Sequence, residues 1–211
     1  MQPIIDNRKR RRLIVATLTE ALKPLEFRHH HGDYFSRPRG PLLDAFFYQF
    51  SRSNGRFTIT YGIDAPDILG TLRRMFDDDS RTPSLWVSRS ADRLGDYGCR
   101  HEDHILNCGD KVRADLESRA IPWFSTITTI EDFVEAYRRY EIRMDAPISP
   151  PPTGVGLRWG IFGLMLAETK DRTNAVRWLD AAAKAWTNES SGTDDQAKWI
   201  HIINSTRNAP K

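Results

Sequence analysis

Four residues with metal-binding side chains lie close together in the stretch CRHEDHILNC: Cys99, His101, His104 and Cys108. Thiolate sulfur and imidazole nitrogen are ligands that zinc prefers, in structural and catalytic sites alike. The spacing differs from the closely spaced Cys and His pairs of zinc ribbons and fingers. The stretch therefore predicts a zinc site only as an alternative to ordinary strand or loop residues.

Strand geometry separates these four side chains. In a regular strand alternate residues share a face, so Cys99 and His101 would lie on one side, and His104 and Cys108 on the other. A common metal site then requires a bend at 102–103. A disulfide between Cys99 and Cys108 across a hairpin is a further alternative, which a reducing compartment disfavours.

A basic run, RKRRR, precedes an apolar helical pattern and is the strongest block of charge: Arg8, Lys9, Arg10, Arg11 and Arg12. Cations at a helix N-terminus oppose the helix dipole, at about 0.3–1 kcal/mol each, so an anionic partner would compensate them. If Asp6 caps the helix, most of the run lies past the first turn and this cost falls. A solvated helix end is favoured, with nucleic acid or an acidic protein surface as alternatives. Because the run lies outside the apolar stripe, replacing Arg10, Arg11 and Arg12 with Gln is predicted to change stability little.

Three consecutive histidines, His29, His30 and His31, lie between the first helical pattern and an aromatic stretch. Neighbouring side chains of an extended chain point to opposite faces, so the three cannot bind one ion without a tight turn. We interpret the run as a polar turn or sheet edge, with metal binding as the alternative.

No pattern in the chain identifies a reaction. The sequence has no G-x-S-x-G elbow, no phosphate-binding G-x-x-x-x-G-K-[ST] loop and no H-E-x-x-H helix. A binding protein is therefore favoured over an enzyme.

Composition indicates a folded protein without a membrane span. Of the 211 residues 39% are hydrophobic, and 31 basic against 28 acidic residues give a net charge of +3, too little to predict a polyanionic partner from charge alone. The most apolar run, at 161–167, is far shorter than the roughly 20 residues that cross a bilayer. The N-terminal stretch lacks the length and cleavage site of a signal peptide, and only two cysteines are present, so a cytoplasmic location is predicted.

Apolar periodicity predicts the first elements. A helix with apolar residues at 13, 14, 18 and 22 ends before Pro24, because proline disfavours the helical conformation of the residue before it. A second helix begins at Pro66. Short strands are predicted at 84–90 and within 97–106, although glycines interrupt the second.

The stretch DAFFYQFSRSNGRFTITYGI predicts a hairpin, since NG at 54–55 favours a two-residue type I′ turn. That turn places Ser53 opposite Arg56, and Phe50 opposite Ile59. The predicted core face consists of Phe46, Tyr48, Phe50, Ile59, Tyr61 and Ile63. On this basis Phe50→Ala is predicted to cost roughly 3–5 kcal/mol.

Two helices are predicted in the middle of the chain. Asp110 caps one that runs to about Arg119, and Thr128 with Glu131 forms a capping box before the other.

A Pro/Gly-rich stretch, DAPISPPPTGVG at 145–156, predicts a linker. Helical patterns at 157–170 and 173–186 follow, and the very short turn between them predicts an antiparallel helix pair. A last short helix is predicted at 195–204.

Three stretches stand out before about Tyr140: TLTEALKPLEFRHHHGDYFSR, QFSRSNGRFTITYGI and LESRAIPWFSTITTIEDFVEAY. Together they resemble the bacterial family known as domain of unknown function 4304, and the C-terminal helix pair resembles a tetratricopeptide-like tail. The shared motifs are apolar and turn patterns, so the resemblance bears on fold and brings no catalytic residues. RHEDHIL, at 100–106, departs from the family pattern, which is often aromatic there.

These patterns predict an α+β fold, with an antiparallel sheet, helices mainly on one face and a C-terminal helix pair. The predicted organisation is a domain at 1–144, a linker at 145–156 and a helical segment at 157–211. The leading hypothesis is a non-enzymatic cytoplasmic module that binds another protein, in its most specific form an immunity-type inhibitor of a bacterial toxin, by analogy with small sheet-plus-helix inhibitors. The alternatives are a metal-dependent enzyme that uses zinc at the Cys/His cluster, and a nucleic-acid-binding protein that uses the basic run.

Overall fold

The computed structural model describes residues 6–30, 32–51, 55–68, 87–88, 94–147, 149, 155–188, 200–201 and 203–206. The chain divides into two compact units, Met1–Asp64 with Ser88–Thr128 and Ala65–Val87 with Thr129–Lys211. The Pro/Gly-rich stretch at 145–156 lies partly outside the described residues, and the domain boundary predicted there stays a prediction.

A mainly antiparallel sheet organises the first unit. The described strands are β1 (Arg28–His29), β2 (Tyr34–Arg39), β3 (Leu42–Phe50), β4 (Arg56–Asp64), β5 (Val87–Ser88), of which Ser88 belongs to this unit, and β6 (Leu94–Gly98). The order is β1-β2-β3-β4-β5, and β6 also pairs with β4. Every pair with a described register is antiparallel. With the helices described below, the sheet confirms the predicted α+β class, and β5 falls within the strand predicted at 84–90.

The predicted hairpin is formed by β3 and β4, but its register is two residues from the predicted one. Phe50 lies opposite Phe57, whereas the two-residue turn placed it opposite Ile59. The backbone N–H of Ser51 donates to the carbonyl of Arg56 at 2.9 Å, so four residues separate the last paired positions. A shift of two residues leaves each side chain on its own face, because side chains alternate with a period of two.

The predicted core face of this hairpin is confirmed at five positions, all buried: Phe46, Tyr48, Ile59, Tyr61 and Ile63. The sixth, Phe50, is only partly buried at the turn end of β3, so its prediction as a core residue is wrong. Tyr61 packs edge-on against Trp123 and Phe124, at centroid distances of 5.6 and 5.9 Å. Aromatic packing of this kind holds helix against sheet.

The helices of the first unit are α1 (Asn7–Leu22), α2 (Glu102–Leu106), α3 (Gly109–Asp115) and α4 (Ile121–Phe124), with a 3-10 turn at Lys23–Leu25 and a π-helical segment at Leu116–Ala120. The carboxylate of Asp6 caps α1 by accepting hydrogen bonds from the N–H groups of Arg8 and Lys9, each at 2.8 Å. The helix ends before Pro24, as predicted.

The stretch 97–106 is a strand only as far as Gly98, so the prediction of a strand to residue 106 is wrong. Helix α2 begins at Glu102 instead, and two acidic residues in its first turn favour that start.

The next helix also differs from its prediction at both ends. It begins at Gly109 after Cys108, not at a cap formed by Asp110. Helical structure continues beyond Arg119 through the π-helical segment into α4, where Pro122 lies in the first turn, a position that proline tolerates.

The helices of the second unit are α5 (Ile130–Tyr137), α6 (Gly156–Glu168) and α7 (Arg172–Asn188), with a π-helical segment at Arg138–Ile142. Thr129 caps α5: its hydroxyl accepts from the N–H of Asp132, whose carboxylate accepts from the N–H of Thr129, each at 3.0 Å. The capping box predicted at Thr128 and Glu131 is therefore one residue too early.

The predicted C-terminal helix pair is confirmed as α6 and α7, joined by a three-residue turn. Trp159 and Phe162 of α6 contact Trp178 of α7 edge-on, at 5.6 and 5.1 Å. Gly163 permits this approach, since a Cβ there would lie 2.8 Å from the Cγ of Leu179.

Two further helix predictions fall largely outside the described residues. Only 66–68 of the helix beginning at Pro66 are described, and they are helical. Near the C-terminus 200–201 and 203–206 are helical, in partial overlap with the helix predicted at 195–204. Among the described helices none has the length and apolar character needed to span a membrane.

Candidate functional site

The four candidate metal ligands are spread along the chain from the end of β6 to the start of α3. Cys99 follows β6, where its N–H donates to the carbonyl of Gly55 at 2.8 Å. His101 precedes α2, His104 lies within it, and Cys108 precedes α3. No group of three or more Cys, His, Asp or Glu residues that could hold a metal ion occurs among the described residues, so the structure does not bring these four together as one ligand set.

Both thiols are free and buried. Burial raises the pKa of Cys99, and it raises the pKa of Cys108 to about 11. Zinc binds the thiolate, so this environment opposes the required ionisation. The rings of His101 and His104 contact each other edge-on at 5.1 Å.

The buried thiols should be unreactive in the folded protein. At pH 8 we expect Cys99 and Cys108 to react with a thiol reagent such as Ellman's reagent only after denaturation, because both are inaccessible and protonated.

The free energy of unfolding should also fall as pH rises from about 9 toward 11, since the thiol of Cys108 ionises at lower pH in the unfolded protein than in the folded one. A Cys108→Ala variant should lose less stability over this pH range. Rapid titration of both thiols in the native protein would contradict this assignment.

The histidine run forms a polar sheet edge, as predicted for its described members. His29 lies in the edge strand β1, and its Nε2 is 3.0 Å from the carbonyl oxygen of Gly32. The Nε2 of His30 is 2.7 Å from the Oγ of Ser36. His31 lies outside the described residues.

One member of the basic run, Arg10, is buried, whereas the other four are exposed. Arg10 is 5% exposed and lies in the buried row of α1 with Ile14, Leu18 and Leu22, so its prediction as a residue outside the apolar stripe is wrong. Its Nη1 donates to the Oδ1 of Asn7 at 2.9 Å. The sequence carried a signal for this burial, because 10, 14, 18 and 22 repeat at four-residue spacing. Replacement of Arg10 should therefore destabilise the fold.

The other four members of the run, Arg8, Lys9, Arg11 and Arg12, are exposed. Arg8, Arg11 and Arg12 are three and four residues apart, so they share one side of α1. Within the described part of the chain none of these three arginines forms an ion pair. Lys9 differs, because its Nζ lies 2.6 Å from a carboxylate oxygen of Glu102. The three arginines therefore present charge that the described residues do not neutralise.

The ring of Phe50 contacts the guanidinium groups of two members of the basic run, Arg10 and Arg11. The Cζ of Arg11 is 5.1 Å from the ring centroid, and that of Arg10 is 5.9 Å away. Such cation–π contacts contribute about 0.5–1 kcal/mol at exposed sites. The partly exposed ring of Phe50 therefore has a structural role, because it holds the Arg11 side chain in place. Sequence reasoning missed this contact, which depends on how α1 packs beside β3.

A groove of about 710 Å³ lies between the C-terminal end of α1 and the entry into β1. Thr19 and Lys23 line its helical side, while Arg28 and Pro38 line its strand side. All but Thr19 are exposed. Sequence analysis did not identify this groove, because its two walls come together only in the folded unit.

Comparison with known proteins gave no match to a family model, a curated protein or a solved structure. The resemblance to domain of unknown function 4304 and to a tetratricopeptide-like tail therefore stays a prediction.

Proposed function

We propose that this protein is a non-enzymatic module that binds another protein through the exposed arginines of α1. The observation that carries the proposal is the cluster of Arg8, Arg11 and Arg12 on one side of the helix, without ion-pair partners among the described residues. We call this cluster the arginine face. Like charges at such spacing repel one another, and Arg8, which lies in the first turn of α1, also opposes the helix dipole. Carboxylates from a partner would remove both costs.

The ordered position of Arg11 also supports a binding role. Its guanidinium lies over Phe50, so less side-chain freedom is lost when a carboxylate binds it. Arginine presents several donors in a planar fork that matches carboxylate geometry. The arginine face is thus suited to recognition of an acidic surface.

We further propose that the partner is a bacterial toxin and that the module acts as an immunity-type inhibitor. The support is an analogy of fold with small sheet-plus-helix inhibitors, together with the arginine face. If this is right, a toxin gene should lie beside the gene for this protein, and co-expression should protect cells from that toxin. Unimpaired killing on co-expression with the adjacent toxin would remove this specific form of the proposal.

The binding proposal is tested by a triple variant, Arg8→Gln with Arg11→Gln and Arg12→Gln. At Arg8 and Arg12 stability should stay within about 0.5 kcal/mol per site of wild type, because both are exposed. Loss of the Arg11 cation–π contact with Phe50 should add about 0.5–1 kcal/mol. A pull-down from source lysate, with mass spectrometry and reconstitution from purified proteins, should yield a partner that the variant binds at least tenfold more weakly. Higher salt should weaken wild-type binding, because exposed charges are screened over roughly 10 Å at 0.1 M.

A matched control keeps the same change of net charge elsewhere: Arg100→Gln, Arg119→Gln and Arg177→Gln, all at exposed positions. The control should bind as wild type does. Equal loss in both variants would indicate non-specific electrostatics. Capture that disappears after nuclease treatment would replace the protein partner with nucleic acid, and retention of every partner by the arginine-face variant would refute the proposal.

A further inference from the structure

The arginine face and the groove lie in line along one side of α1. Arg8 and Thr19 are eleven residues apart, as are Arg12 and Lys23, and eleven residues make almost exactly three helical turns. The separation along the helix is therefore roughly 16 Å. A single partner segment running parallel to α1 can reach both, and an extended chain covers this distance in about five residues.

The groove continues the positive charge of the arginine face. Lys23 and Arg28 lie on its two walls, both exposed and neither in an ion pair within the described part of the chain. The exposed ring of Pro38 and the nearly buried ring of Phe27 line the same groove and supply apolar surface. Carboxylates flanking one apolar side chain would match this arrangement.

Two carboxylates distinguish a protein segment from nucleic acid as the occupant. Glu20 and Glu26 line the same groove and are exposed. They would repel a continuous phosphate backbone, whereas a peptide can carry acidic residues beside the cations and neutral residues beside the two glutamates.

The open edge of β2 is poorly suited to strand addition. Pro38 lacks an N–H, so the sheet edge offers no donor at that position for an added strand. Recognition would depend on side chains.

We infer that this side of α1, from the arginine face to the groove, binds an acidic segment of a partner protein that carries one apolar side chain. The segment places carboxylates at Arg8, Arg11 and Arg12, and its apolar side chain enters the groove against Pro38. A further carboxylate pairs with Lys23 or Arg28. This inference rests on the proposed binding function and names the chemistry of the partner.

Selection of peptides on the purified full-length protein tests the inference. A random 12-residue phage library should yield peptides that carry an acidic run and, about five residues away from it, an apolar residue with a further carboxylate beside it. Their affinities, measured by fluorescence anisotropy, should fall at least tenfold in the arginine-face variant and at least tenfold in a groove variant, Lys23→Glu with Arg28→Glu. A control, Arg100→Glu with Arg119→Glu, makes the same charge change away from α1 and should have no such effect. Alanine in place of the apolar peptide residue should also weaken binding.

The outcomes separate this inference from the proposed function. Peptides that need the arginine face but bind the groove variant normally would overturn the inference and leave the binding function standing. Peptides insensitive to both variants, or no enriched peptide, would overturn it as well. A single-stranded 12-mer DNA that binds with the same dependence on both variants would assign this side of α1 to nucleic acid instead.

Discussion

Asp44→Asn should destabilise the protein by about 3–5 kcal/mol, because it removes the anion that neutralises two arginines in a buried network. The carboxylate of Asp44 is fully buried on the core face of β3. Its Oδ2 accepts from the Nε of Arg37 at 3.0 Å, and its Oδ1 accepts from the Nε of Arg39 at 2.8 Å. Neutral asparagine preserves the shape but leaves both guanidinium groups without their counter-ion. Urea denaturation of the variant and of wild type measures the difference.

The control for this prediction is an exposed pair. Asp96 lies 3.3 Å from Arg56, and both side chains are more than half exposed. Asp96→Asn should therefore cost less than about 1 kcal/mol, since exposed ion pairs contribute little. Similar losses in the two variants would show that the network around Asp44 is not desolvated enough to matter.

Phe46→Ala should also cost about 3–5 kcal/mol, because it leaves a cavity in the centre of the core face. Phe46 is fully buried, stacks on Phe35 at a centroid distance of 4.8 Å and meets the edge of Phe27 at 5.2 Å. Removal of the ring takes contacts from both neighbours. Phe27 directly precedes β1 and Phe35 lies in the paired strand β2, so neither can easily move to close the gap. Chemical denaturation with an unchanged m-value would measure the loss.

The neighbouring Phe50→Ala variant is the natural comparison. Phe50 is partly exposed and makes cation–π contacts with Arg10 and Arg11, so its loss should cost only about 1–2 kcal/mol. This value replaces the larger one predicted from the sequence alone. A variant at Phe50 that loses as much stability as one at Phe46 would refute the assigned difference in burial.

The hairpin shows what local sequence can and cannot determine. Alternation of apolar and polar residues identified the buried face correctly, since that pattern survives any shift of two residues. The register depends on the turn, and the NG dipeptide at 54–55 favours a two-residue turn that the pairing of Ser51 with Arg56 excludes. Phe50 consequently faces Phe57 and lies nearer the surface than predicted.

Sequence patterns could not predict the short elements or the buried ion pairs. Five residues such as 102–106 hold too few positions to separate a helical period from a strand period. The pairing of Asp44 with Arg37 could not be predicted from spacing, because it depends on the register between β2 and β3. The groove beside Lys23 likewise requires two elements that only folding brings together.

The burial of Arg10 divides the basic run into positions under different evolutionary constraints. Arg10 packs within its own molecule, so changes there should co-vary with Phe50 and with the buried row of α1. Under the proposed function Arg8, Arg11 and Arg12 contact a partner outside the chain, so they should change together when that partner changes its acidic surface, although Arg11 also contacts Phe50. Homologues in which the three exposed arginines are substituted while Arg10 is kept would thus indicate the same fold with a different partner.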